Sequence, residues 1–205
     1  MNDLNIAGSL LFISGVVSIM GIITAETTYP GYSTRTNYIS DLGATRPPNS
    51  VIKQPAATIF AVTLVISGVL TLASPYFVYL GLGQGRGVVA LSLLIALSGI
   101  GALGATAFNE QHLAFHTLFS FLSFATVSLA ALVSYFVLRA PFRYFAVILG
   151  VIALASFGMF IILSTKYGEG AGPVATLIGP GGVERWISYP ITLWSIGFGA
   201  YLMGQ

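Results

Sequence analysis

Two histidines, the only ones in the chain, stand four residues apart at His112 and His116, just after Glu110. In a continuous α-helix residues i and i+4 share a face, so the pair can hold one divalent metal ion with a carboxylate from elsewhere. Asp41, Glu110 and Glu184 are the carboxylates open to that role. A bare H-x-x-x-H lacks the glutamate that makes the zinc-protease motif specific, and the plainer reading is a hydrogen-bonded helical hairpin. A second chemistry is lipid recognition. Glu184-Arg185 leads into the last apolar run, where the guanidinium can pair with a carboxylate or hold a phosphate headgroup, with a histidine as base or metal ligand.

Asp41 sits in the stretch Asn37 to Leu42 (NYISDL), whose mixed composition suits a short helix at a membrane surface. Asn37 and Asp41 would face the same way, and Gly43 would end the turn. Asp41 then either caps that turn or pairs with Arg35 or Arg46, or turns inward to a site between helices. Other chemistries are excluded. The chain has no cysteine, Ser40 has no G-x-S-x-G setting, and the glycines of TKYGEGAGPVATLIGPGGVERW lack Walker spacing.

The elements that must carry these groups follow from composition. Apolar residues make up 56% of the chain and charged ones only 7%, against about 25% charged in a soluble domain. Such a chain cannot cover its surface with groups that suit water, which excludes a soluble globule, a disordered chain and a nucleic-acid-binding module. Crossing a bilayer takes roughly 20 apolar residues per helix, and six runs qualify: 4–25, 56–80, 88–108, 113–138, 144–164 and 186–203. β-Barrel strands would be half as long and alternating. The expected fold is all-α, a bundle of six transmembrane helices forming one domain over 1–205. The first run is read as a retained span, because its flank carries Asp3 without Lys or Arg and Ile23 suits a signal cleavage site poorly.

Alternating the spans puts Asp3, Arg86, Arg139 and Arg143 on the side of both termini. The two longer loops, Glu26 to Pro55 and Thr165 to Arg185, share the other side with NEQH. Five of the six carboxylates and both histidines therefore gather at one face of the membrane. The long glycine-rich fifth connection reads as a flexible lid, and Trp186 and Tyr189 as interfacial anchors. Two charge counts point opposite ways. By raw Lys+Arg the loop-rich face has five against three and would be cytoplasmic. By density the short connections RAPFR and GLGQGRG are basic without acid, and this second count is followed in expecting both termini in the cytoplasm of a multi-pass cell-membrane protein. Small residues four apart, Ser14 and Ser18, Gly101 and Ala105, Ser195 and Gly199, suit close helix packing. Pro75 is expected to kink or end the second helix.

Three stretches carry a likeness: NYISDLG with Pro55 and Phe60 after it, ALGATAFNEQHLAFHTLFSFL, and ERWISYPITLWSIGFGAYL. In this order and spacing they resemble the small six-span membrane proteins of archaea and bacteria grouped as domain-of-unknown-function family 998, over nearly the whole chain. The resemblance implies the topology and an acidic residue followed by a histidine in the hairpin, with which either His112 or His116 aligns. It implies no reaction.

The leading expectation is a lipid-directed membrane protein whose Asp41, Glu110, His112, His116, Glu184 and Arg185 converge beneath the loops on a polar pocket, since charges near membrane depth are costly unless paired or used. The rival is a non-catalytic subunit or assembly factor, with a membrane-protein partner or a second copy packed on its helices. A transporter is disfavoured, because the span centres are nearly free of charge and no inverted pair of broken helices appears.

Overall fold

The computed structural model describes residues 2–167 and 173–205, with side chains up to 162 and again from 176. Its helices are α1 (Asp3–Thr28), α2 (Ala56–Leu82), α3 (Arg86–Ala107), α4 (Leu113–Val133), α5 (Phe142–Tyr167) and α6 (Pro173–Met203), and among the described residues there is no strand. Each helix packs on its neighbours in sequence, and α6 returns to pack on α1, so the six close into a ring. α1 to α5 are each long and apolar enough to cross a membrane. α6 is not among them. It lies antiparallel along α1, where an added Cβ on Gly8 would meet Gly199 and Met203, and one on Gly15 would meet Thr192 and Ile196. Ile187, Ile191, Trp194, Phe198 and Leu202 of α6 are buried by its neighbours, so this helix needs less lipid-compatible surface than the others.

Two apolar clusters close the ring at different depths. Near the termini, Leu11, Val78, Leu91, Ile95, Trp194, Phe198 and Leu202 pack into the main core. At the opposite end Ile39 and Leu42, carried by the first loop, pack on Ile22, Ala25 and Phe60. The loop thus buries an apolar underside against α1 and α2 and roofs the bundle.

Hydroxyls fasten helices together where no water drives association. The Ser14 hydroxyl donates to the Ser67 carbonyl at 3.0 Å, and the Ser195 hydroxyl to the Leu11 carbonyl at 3.0 Å. Pro75 does not end α2, which continues to Leu82. Proline removes the N–H that would reach the carbonyl four residues back. The hydroxyl of Ser74 donates to that Thr71 carbonyl at 2.9 Å instead.

The centre of the fifth connection, residues 168–172, read from the sequence as a flexible lid, lies outside the described residues. α5 runs on to Tyr167 and helix resumes at Pro173; Glu169 lies outside the described residues. Within α6 the chain breaks at Gly179, whose φ of 78° lies in the left-handed region that favours glycine. The Gly181 N–H donates to the Arg35 carbonyl at 3.1 Å, and a Cβ on Gly181 would strike the Asn37 and Thr34 carbonyls. These glycines serve close backbone contact with the first loop.

Candidate functional site

The first loop is held from three directions. From α6, Arg185 Nη1 donates to the carbonyls of Thr34 and Asn37, at 3.0 and 3.2 Å, and to that of Gly181 at 2.9 Å. Its Nη2 donates to Glu26 Oε1 at 2.5 Å and to the Tyr32 hydroxyl at 2.7 Å. Tyr32 in turn donates to the Tyr38 carbonyl at 2.8 Å, and burial pushes its phenol above the ordinary value. Arg185 is therefore spent on the loop and on Glu26. Glu184, one residue earlier, accepts the Ile39 N–H on Oε2 at 2.5 Å.

From the third connection, Glu110 is only 1% exposed. Its Oε1 accepts the Ser40 hydroxyl at 2.5 Å, and its Oε2 accepts Arg46 Nε at 2.7 Å. The Arg46 guanidinium also lies over the Tyr38 ring, 4.6 Å from its centroid. Burial alone would lower the Arg46 value, but the Glu110 carboxylate more than reverses this and raises it. From within the loop, Asp41 Oδ2 accepts the Tyr38 N–H at 2.8 Å and the Asn37 side-chain amide at 3.2 Å. Burial pushes the Asp41 carboxyl up, and the Asn37 amide works against this. The short helix expected around it is a single 3-10 turn, Ser40–Leu42, and Asp41, inside that turn, reaches back to the residues just ahead of it rather than capping it.

The two histidines part company. Glu110–His112 forms a 3-10 turn and α4 starts only at Leu113, so the i, i+4 rule of a continuous helix does not apply. His112 is exposed, with its ring 6.2 Å from that of Phe108. His116 is buried, its Nδ1 2.9 Å from the Phe108 carbonyl and 3.1 Å from the Ala105 carbonyl. Two carbonyls at Nδ1 require the proton there, leaving Nε2 as the acceptor in the neutral ring. Nε2 lies 3.3 Å from the Ser120 hydroxyl and 3.8 Å from Glu110 Oε1. Among the described residues no three His, Asp or Glu side chains group as a metal site would require.

Below the roof the ring encloses a cavity of about 170 Å³, lined by α1, α2, α3, α4 and α6 with Ile39 and Ser40 of the loop. One water needs roughly 10–15 Å³ by such a measure, so the space is far larger than a packing defect. Of the six candidates read from the sequence, His116 and Glu184 line it; Asp41, Glu110, His112 and Arg185 do not. Eleven serines and threonines complete its polar wall, and Trp194 contributes to its apolar part. Several hydroxyl protons are committed to backbone carbonyls: Ser18, Ser67, Ser98, Ser188, Thr192 and Ser195 each donate to one, at 2.8 to 3.1 Å. A hydroxyl oxygen that has donated its proton retains lone pairs to accept with. The wall is thus rich in acceptors.

A second cavity, of about 310 Å³, lies between α2, α3 and the loop, and shares Ser40, Phe60, Leu64, Ala105 and His116 with the first. His116 and Phe60 therefore stand between the interior and a lateral recess on the α2–α3 side.

The buried Glu110, the SDLG turn and the seat of α6 on the loop lie in the three stretches that carried the likeness. A family model described as a protein of unknown function, DUF998, matches residues 12–201. The chain belongs to the DUF998 family. No curated protein and no solved structure matches it. Within this DUF998 chain, the roles of Ser40, Arg46 and Glu26 are not singled out by spacing. The hydroxyl wall does leave a trace in the sequence: Ser14 and Ser18, Ser67 and Thr71, Ser120 and Ser123, and Ser188, Thr192 and Ser195 recur three or four residues apart, one face of each helix.

Proposed function

We propose that this integral membrane protein binds a membrane amphiphile, with the polar end of a lipid inside the hydroxyl-lined cavity and its chain leaving through the recess between α2 and α3. The observation that carries this reading is the cavity itself. A largely apolar space with hydroxyls, His116 and Glu184 set into its wall suits a molecule that has both an apolar chain and a group that needs hydrogen bonds. At about 170 Å³ it falls below the roughly 300 Å³ of a pocket that engulfs a drug-sized ligand, which suits a headgroup or one end of a lipid. The loop supports the reading as a fixed roof, since Arg185, Glu184 and Glu110 tie it down.

Native mass spectrometry of the detergent-purified protein is expected to show one co-purified amphiphile per chain. Ser98 lines the cavity, and Ser98→Phe, or the smaller Ser98→Leu, is expected to occupy part of it and to remove the amphiphile from a protein that still unfolds cooperatively. A wild-type protein free of lipid, or a folded Ser98 variant that keeps its full load, would overturn the reading.

The same reading sets the termini and the short basic connections in the cytoplasm of a cell-membrane protein, with the roof on the outer face. The chain has no native cysteine, so single substitutions report sidedness directly. In intact cells an impermeant maleimide is expected to label Asn49→Cys in the first loop and to leave Gln84→Cys unlabelled until the membrane is opened. The reverse pattern inverts the orientation.

A further inference from the structure

The cavity wall holds a buried carboxyl group that no cation among the described residues pairs with. Glu184 is 7% exposed and lines the cavity. One of its carboxylate oxygens accepts the Ile39 N–H, and among the described residues no cationic side chain lies within ion-pair distance of it. The nearby cations have other partners. Arg185 is paired with Glu26 and Arg46 with Glu110, and no lysine or arginine lines the cavity. A buried carboxylate left without a cation is costly, and such groups are normally paired or used.

The neutral part of the wall has the same polarity. Hydroxyls that have donated to backbone carbonyls offer lone pairs, and with the proton of His116 held on Nδ1 by the Ala105 and Phe108 carbonyls its Nε2 takes the Ser120 proton, which leaves the Ser120 oxygen as a further acceptor. A ligand that only accepts hydrogen bonds, such as a carboxylate or phosphate, finds few donors there, no lysine or arginine, and a carboxyl group at Glu184. A ligand with several N–H donors and a positive charge meets both requirements.

We propose that the polar end of the bound amphiphile is a primary ammonium, held by the Glu184 carboxylate and by the hydroxyl oxygens around it. This rests on the reading of the cavity as an amphiphile site and names the class of ligand. The three N–H bonds of an ammonium call for such acceptors, which α6, α1 and α4 all contribute to the cavity wall, whereas the alkyl chain takes the recess beside Phe60.

Three probes of equal chain length decide the matter: dodecylamine, dodecanol and dodecanoate, titrated at neutral pH into Trp186→Phe protein in detergent. That variant leaves Trp194, on the cavity wall, as the sole indole. The amine is expected to change Trp194 fluorescence saturably with roughly ten-fold or greater preference over the alcohol, the margin of a charge-assisted over a neutral hydrogen bond, and the carboxylate to give no saturable change. Glu184→Gln is expected to bring the amine-to-alcohol ratio close to one, while Glu184→Asp retains a preference. If the alcohol or the carboxylate binds as well as the amine, or the ratio survives in a folded Glu184→Gln protein, the ammonium assignment falls and the amphiphile site stands. If none of the three gives a saturable signal, both fall. Should the Gln variant fail to fold, the wild-type ranking is sufficient to decide.

Discussion

Replacing Arg185 with alanine lowers the unfolding midpoint of the detergent-solubilised protein by roughly 10 °C. The guanidinium holds Glu26, three carbonyls and the Tyr32 hydroxyl, and its side chain is 8% exposed against 15% for Glu26. Removing one partner of such a pair leaves the other charge buried without compensation, a cost of about 3–5 kcal/mol. In a chain of this size each kcal/mol moves the midpoint by about 2–4 °C. Arg185→Lys keeps the charge opposite Glu26 but not the planar fork that reaches several carbonyls at once, and recovers less than half of the loss. Glu26→Gln combined with Arg185→Ala costs less than the two single losses added, because neither charge is then stranded. Thermal unfolding followed by circular dichroism checks all four proteins; a midpoint within about 2 °C of wild type for Arg185→Ala would mean that the first loop is held by its apolar underside alone.

Glu110→Ala comes next in size, with an expected loss of about 3 kcal/mol, the lower end for a broken buried pair, because the Arg46 side chain is 21% exposed and can rehydrate. It also strips the Ser40 hydroxyl of its acceptor at the cavity roof. The consequence is a loosened loop as well as a lower midpoint. Limited proteolysis is expected to cut Glu110→Ala between residues 45 and 53, where wild type resists. Glu110→Gln, which keeps the shape and still accepts from Ser40, is expected to fall between the two. Arg46→Ala combined with Glu110→Ala costs little more than Glu110→Ala alone, and additive losses would show that the two residues do not act as a pair.

These two residues show what was legible in the chain and what was not. Glu110 and Arg185 stand out as rare charges at the edges of apolar runs, so their importance follows from the cost of burying charge. Their partners do not. Arg46 lies 64 residues from Glu110 and Glu26 lies 159 from Arg185, and nothing local in the first loop distinguishes Arg46 from Arg35 as the cation that reaches the hairpin. His112 and His116 mislead in the opposite way, because four-residue spacing implies a shared face only if both residues are helical, and His112 ends a 3-10 turn with non-helical backbone just before α4 begins. The glycines around Gly179 suggest looseness in sequence, yet they permit two backbones to touch.

Hydropathy alone determined that the chain is a polytopic helical membrane protein and that its ionisable groups collect at one end, since a helix of fixed rise across a bilayer of fixed thickness leaves little choice. Only the tertiary structure decided which of those groups meet. Closing six helices into a ring turns one face of each inward, and that rotation selects Glu184, His116 and the scattered serines for the interior while binding Asp41, Arg185 and Glu110 into the roof. Local spacing marks one hydroxyl face on several helices, but which faces meet, and which charges join them, depends on contacts between residues far apart in sequence.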